Sequence, residues 1–292
     1  MPLHPISFAI AEEYVKTEVP HKTKLMGTVI PFNNSTYIFK TQDDYFNDYA
    51  TSLFGKTCKK AGWDCMRHYE ILANGCIPYF HDLPDCPPNT MHDFPRELVL
   101  NAMKLHDTHP ELDINDQQYQ SYIKQLLDYT RNNLTTVKQA QRILDICGKN
   151  KDAKVLFINK LHDTDYLRCT IIHGMKKILK NNCVDAPRLP HLYKSFPEDQ
   201  ALKLYGNGFT YTRLLDEDCD QCDRSNIEEK IKSHYFDLIV YGTIHRSQDY
   251  WHLVHAHYDK KDIVIMCGED LHNCPFKNPS FTDKYHVFLR EQ

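Results

Sequence analysis

The chain has 292 residues, enough for one large domain or two ordinary ones, and two is the better prior. Its 25% charged and 41% hydrophobic residues are those of a soluble globular protein, and a net charge of −4 argues against nucleic acid as a partner. No run reaches the roughly 18 apolar residues of a membrane span, and the first residues, with His4, Glu12 and Glu13, lack the basic-then-apolar order of a signal peptide, so the expected location is cytoplasmic.

In chain order, residues 5–10 are strand-like, and 27–30 and 36–39 read as two short strands bounded by Pro31, Asn33 and Asn34. Residues 43–53 read as a helix, 55–62 as a loop, and 63–73 as a helix that Asn74-Gly75 stops. Residues 76–80 follow as a buried strand and 84–88 as a Pro-rich loop. Three helices come next: residues 93–105, a stripe of Tyr119, Tyr122, Ile123, Leu126 and Leu127, and another of Val137, Ala140, Ile143, Leu144 and Cys147. The polar break at 148–152 divides the chain into domains 1–150 and 151–292.

The second half restarts with a strand at 155–158 and a helix at 165–179, then a strand at 236–242, a helix at 247–258 and a strand at 262–268. This rhythm predicts an α/β fold with parallel sheets covered on both faces. Two Rossmann-like domains facing a central cleft are expected, with ligand at the carboxyl ends of the strands. The eleven cysteines form no framework, and Cys219-Asp-Gln-Cys222 has no second pair to complete a zinc knuckle, so reduced thiols are expected.

The segment that carries chemistry runs from Lys59 to Pro78. A loop containing Gly62 feeds a helix N-terminus, where free amides and the helix dipole favour an anion. Lys59, Lys60 and Arg67 add the positive charge that a diphosphate requires. Arg67 and Glu70 lie three apart on one helix face, and a carboxylate one turn beyond a phosphate site can accept two bonds from ribose hydroxyls. On spacing alone, a surface helix with an Arg–Glu pair is an equal reading.

Arg67-x-x-Glu70 followed by Leu-Ala-x-Gly-Cys-Ile-Pro78 resembles the nucleotide-sugar half of exostosin-like glycosyltransferases of the GT-B fold, over roughly residues 36–95. The resemblance implies Glu70 at the donor ribose and Arg67 with Lys59 or Lys60 at the phosphates, with Thr57 and Asp64 lining the pocket. Asp165-Tyr-Leu, His173-Gly174, Tyr205-Gly-x-Gly-Phe209 and Tyr241-Gly-Thr-Ile-His245-Arg246 resemble the partner domain, which comes first in such proteins and second here. The halves therefore look circularly permuted, which a two-domain cleft survives when the old termini lay close together. Small exostosin-like transferases of large DNA viruses of algae, a xylosyltransferase among them, are similar in size. The resemblance implies a metal-independent enzyme that moves a sugar from a nucleotide-sugar, with UDP and UDP-xylose favoured, to a glycan or glycoprotein acceptor.

Inverting transfer needs a carboxylate or histidine base near the acceptor hydroxyl. Asp163 and Asp165, His245, and Glu269 with Asp270 each follow a strand of the second half, so three loops are expected on one rim. Asp165 reads equally well as a helix N-cap. Asp163-Thr-Asp165 and Asp218-Cys-Asp220 match a bare metal pattern; the second lies in an acidic loop, while the first follows a strand and keeps a minor metal role open, and no resident metal or cofactor is expected. A nucleotide-binding protein without catalysis, or a nucleotide or sugar-phosphate hydrolase, are the competing readings.

Overall fold

Strands that carry apolar side chains at every position must bury both faces, and the second half has several of this kind. The computed structural model describes residues 3–161, 164–270, 276 and 278–291. Its first half contains β1 (Leu3–Pro5), β2 (Lys24–Met26), α1 (Gln42–Thr51), β3 (Ser52–Thr57), α2 (Met66–Ala73), β4 (Ile77–Phe80), α3 (Arg96–Thr108), α4 (Gln117–Asn133) and α5 (Thr136–Ile146). The second contains β5 (Val155–Ile158), α6 (Tyr166–Leu179), β6 (Cys183–Ala186), α7 (Glu198–Ala201), α8 (Ile227–Lys232), β7 (Leu238–Tyr241), α9 (Trp251–His257), β8 (Ile263–Cys267), α10 (Pro279–Thr282) and β9 (His286–Leu289).

The strands form two parallel sheets, a six-stranded one in the order β1-β9-β8-β7-β5-β6 and a three-stranded one in the order β2-β3-β4. The fold is therefore α/β, and both sheets are compatible with Rossmann-like units. The first strand of the chain joins the large sheet, Leu3 pairing with Val287 and Pro5 with Leu289. The chain then crosses into the first half, where Ile10 exchanges backbone bonds with Leu134 and Thr136 at the start of α5.

Alternation along each strand splits the large sheet between two cores. Leu156, Ile158, Ile239, Tyr241 and Ile265 face Ile227 and Ile231 of α8 and Val254 of α9. Val155, Phe157, Leu238, Val240 and Met266 face the other way, toward Ile171 of α6 and Ile143 of α5. That second core runs on without a break into the first half, through Leu126, Leu72, Tyr69 and Phe54.

Three local expectations are corrected. Residues 27–30 and 36–39 are not strands: Ile30, Phe32, Tyr37 and Ile38 stand exposed on a loop around a short 3-10 turn at Asn34–Thr36, and the neighbouring strand is β2 instead. Residues 55–57, expected in a loop, belong to β3, which is almost wholly buried. Gly55 sits in a strand because α2 approaches closely there, and a Cβ would stand 2.9 Å from the Ile71 side chain. Cys183–Ala186 is a strand that periodicity does not show, because its Asp185 looks polar. That carboxylate is fully buried against Lys176 at 2.7 Å and Arg224 at 2.5 Å.

The cysteines divide. Among the described residues nine are free, and Cys267 is disulfide-bonded, so reduced thiols do not hold throughout. No helix among the described residues is long and apolar enough to cross a membrane.

The closest helix packing is that of α6 on α5, where a Cβ at Gly174 would lie 2.0 Å from the Thr136 carbonyl oxygen. Gly174→Ala must push the helices apart, and a loss of about 1–3 kcal/mol is expected. A urea-denaturation midpoint equal to that of the wild type would show that the helices are not in contact there.

Candidate functional site

Strand β3 delivers the chain to a turn, residues 58–65, that leads into α2. At the strand end Thr57 donates its hydroxyl to His68 Nδ1 (2.8 Å), because His68 Nε2 must spend its proton on the Trp63 carbonyl (2.9 Å). His68 is fully buried against Phe80, and burial pushes its imidazole down to about 3, so the ring is neutral. This pair fixes the shape of the turn. The turn presents Lys59 Nζ 5.0 Å from the Trp63 ring and Lys60 Nζ 5.7 Å from the Phe32 ring.

The N-cap of α2, Cys65, supplies no side-chain bond to the helix. One residue inside the helix stands Arg67. Its Nη2 donates to the Tyr37 hydroxyl at 2.7 Å, while Nε and Nη1 are shielded from solvent and make no hydrogen bond among the described residues. One turn further along, Glu70 is buried, with one carboxylate oxygen on the Tyr45 hydroxyl (2.6 Å) and the other on the Thr210 hydroxyl of the second half. Burial raises the proton affinity of Glu70, and the two hydroxyl bonds and the charge of Arg67 oppose that rise. Tyr166, at the start of α6, faces the same pair and feels the charge of both.

The second half contributes the ends of its strands. Past β7, Arg246 reaches Glu269 beyond β8 at 3.3 Å and Asp165 beyond β5 at 3.8 Å, so the two acids are drawn to one guanidinium. Asp165 also accepts the backbone N–H of Arg168 at 2.8 Å and is the N-cap of α6. Past β9, the buried Arg290 binds Asp270, Glu291 and the carbonyls of Gly268 and Asp64. Gly62 touches this group: a Cβ there would lie 2.5 Å from Glu291 and 2.9 Å from Asp270. The loops at the carboxyl ends of the two parallel sheets therefore meet. His245 is exposed on the same rim with Nε2 3.0 Å from Cys267 Sγ, and Asp163 lies outside the described residues.

Two of the pocket residues expected on the donor side are inward-facing. Asp64 is buried with both oxygens engaged, one by the Phe8 amide and one by the Tyr69 hydroxyl, each at 2.7 Å, and its own amide donates to Glu291 at 3.0 Å. Burial pushes its carboxyl up to about 6 against the pull of Arg290. Thr57 is likewise spent on His68. Lys59, Lys60, Arg67 and Glu70 remain as the residues that a ligand at this rim would meet.

Two open concavities lie away from the rim. One, of about 340 Å³, is lined by Lys149, His234, Asp237 and Asp262, near the opposite ends of β7 and β8. Another, of about 430 Å³, lies along α1 beside Lys24, Phe39 and Asp48. At the rim, Thr210 covers Glu70, and both are buried. Asp185, Asp220 and Cys222 have metal-like spacing, but Asp185 and Asp220 are already neutralised by Lys176, Arg188 and Arg224. Cys219 and Cys222 help to hold Lys176, through the Cys219 carbonyl and the Cys222 sulfur.

Thr210, Tyr45, Arg290 and Glu291 belong to this region although sequence reasoning does not single them out. Glycines at 206 and 208 mark the neighbourhood of Thr210, but nothing local to it signals a partner 140 residues away. No model of a known protein family matches the chain, and no curated protein compared with it matches either.

His68, His173 and His191 have their imidazoles pushed down to about 3, 4 and 4 from an ordinary 6.5, burial being the main cause in each. Their contribution is full above about pH 6.5 and is lost as the pH falls toward those values, because the unfolded chain takes up the protons first. The unfolding free energy is expected to drop on the acid side by up to about 1.4 kcal/mol per pH unit for each such histidine. Urea titrations of wild type and His68→Asn between about pH 7 and about pH 5 check this, and the variant should show the flatter slope.

Proposed function

We propose that this protein is a glycosyltransferase of the exostosin-like, GT-B type, which uses a nucleotide-sugar donor and relies on its own cations in place of a metal. The observation that carries the reading is Arg67: a guanidinium on the first turn of a helix, with two enclosed nitrogens, Nε and Nη1, whose hydrogens no atom of the described residues accepts. Buried donors of this kind are costly unless a ligand accepts from them. The phosphates of a nucleoside diphosphate are suited to do so, with the α2 N-terminus, Lys59 and Lys60 beside them. Glu70 lies one turn deeper and already binds two hydroxyl groups, the chemistry that a ribose diol offers.

In the transfer step the acceptor oxygen attacks the anomeric carbon of the donor sugar. The bond from that carbon to the phosphate oxygen breaks, and the nucleoside diphosphate leaves with the electron pair. Arg67 and the lysines stabilise the charge that develops on the diphosphate. The proton of the acceptor hydroxyl goes to a base on the opposite rim. Among the described acids there, Asp165 is committed to capping α6 and Asp270 to the buried Arg290, while Glu269 meets the half-buried Arg246 alone among the described residues. Glu269 is the base in this proposal. UDP is the favoured nucleotide, and a glycan or glycoprotein the acceptor.

A nucleotide-binding protein without catalysis would share Arg67 and Glu70 and would not need Glu269. A thermal-shift series with UDP, GDP, ADP and CMP in EDTA separates nucleotide binding from none, since a ligand stabilises the state that it binds. One nucleotide class should raise the melting temperature, and Arg67→Ala or Glu70→Ala should weaken its binding by about tenfold or more. Glu269→Gln should keep that affinity and lower sugar transfer by a factor of about 10² or more. The absence of any nucleotide effect would overturn the reading, and full transfer by Glu269→Gln would remove Glu269 as the base.

A further inference from the structure

The segment between α7 and the acid-rich turn at Glu217–Asp220 is the most contorted backbone among the described residues. Gly206, Asn207, Gly208, Thr210 and Arg213 all have positive φ. For Thr210, at φ 74°, this is a conformation that a β-branched residue adopts only when its surroundings compel it. Two bonds from the first half do so. The Thr210 amide donates to Gln42 Oε1 at 2.6 Å, and its hydroxyl donates to Glu70. Phe209 stacks on Tyr45, the other hydroxyl partner of Glu70, with ring centroids 5.8 Å apart.

The remainder of the segment is tied to its own half. The Tyr211 hydroxyl donates to the Tyr205 carbonyl, Thr212 to the Gly208 carbonyl, and the Arg213 amide to the His191 carbonyl. Tyr205 at its other end is 70% exposed. A loop anchored in the second half thus lays its tip, Phe209 and Thr210, across a carboxylate of the first, at the point where the strand ends of the two sheets meet.

We propose that the tip of segment 205–213, Phe209 and Thr210, is a strap that closes the Glu70 site, hinged on Tyr211 in the core, with the Thr210 hydroxyl occupying a place that a ligand hydroxyl takes when the tip withdraws. The proposal rests on the reading of Glu70 and Arg67 as a nucleotide site and adds how that site is shut. The strained φ of Thr210 makes the closed state easy to leave once its two bonds are exchanged. A ligand that supplies hydroxyls to Glu70 and phosphate oxygens to Arg67 replaces the bond to Glu70 and satisfies the enclosed guanidinium as well. The apparent affinity for nucleotide is then the intrinsic affinity reduced by the fraction of molecules that are open.

Thr210→Val keeps the strained, branched residue and removes the hydroxyl; Gln42→Ala releases the amide and leaves Glu70 untouched; Thr210→Ser keeps the hydroxyl. Calorimetric titration with UDP, with GDP and ADP run beside it, is expected to show Thr210→Val and Gln42→Ala binding about tenfold tighter than wild type. Thr210→Ser should stay near wild type. In the wild type, saturating UDP should also speed amide hydrogen exchange in 205–213. Affinities unchanged or weakened in both Thr210→Val and Gln42→Ala, with nucleotide still binding the wild type, would overturn the strap and leave the nucleotide site standing. If none of the three nucleotides binds the wild type or any variant, the nucleotide reading falls, and the strap with it.

Discussion

Arg290 is a fully buried guanidinium, and the junction it makes sets the position of everything at the rim. Removing such a charge from water costs several kcal/mol, and only close partners in good geometry offset it. Here they are the carboxylates of Asp270 and Glu291 and the carbonyls of Gly268 and Asp64, with the Phe8 ring 4.7 Å away. Because one partner is the Asp64 carbonyl, the charge that completes β9 also fixes the turn before α2. Asp64 passes the constraint on through the Phe8 amide and the Tyr69 hydroxyl. Separate stretches of chain are registered against one another by this one group.

From that junction the groups that could act on a ligand divide by sheet. The turn after β3 and the start of α2 carry Lys59, Lys60 and Arg67, and the strand ends of the large sheet carry Asp165, Glu269 and Asp270. Cations free of ion pairs among the described residues on one wall, and carboxylates paired with Arg246 and Arg290 on the other, suit a reaction in which an anion leaves on one side and a proton is taken on the other. Arg246 holds Glu269 and Asp165 together and keeps two negative charges from repelling each other across the gap. In the proposed transferase, this placement of free cations opposite paired carboxylates is what orders the two substrates.

The parts legible in the sequence are those with local causes. Strands β5, β7 and β8 are apolar at each position, and only a doubly covered parallel strand tolerates that. The end of α2 is legible because Gly75, at φ 63°, can turn the chain where other residues resist. Arg67 and Glu70 stand out by helical spacing, whereas the inward role of Asp64 does not: its partner Glu291 lies 227 residues away, and an acid in a basic loop looks like a ligand contact. The aromatic run from Phe32 to Phe39 misleads for a related reason, since β propensity reports what a residue prefers when half-buried, and this run is on the surface. Asp185 conceals β6 because periodicity does not register a buried ion pair.

The uninterrupted core that passes from Phe54 and Leu72 through α5 and α6 to Phe157 bears on how such a site could ever be entered. Two lobes joined only by a linker can swing apart like a book. Two lobes that share close-packed hydrocarbon cannot, because opening them by even a few ångströms would leave an empty volume or admit water against Leu and Ile side chains. Motion that gives access is thereby confined to segments outside that core, and in the proposed transferase the two walls would keep a nearly constant separation. The frame behaves as a fixed vise, and the selectivity of entry belongs to its loops.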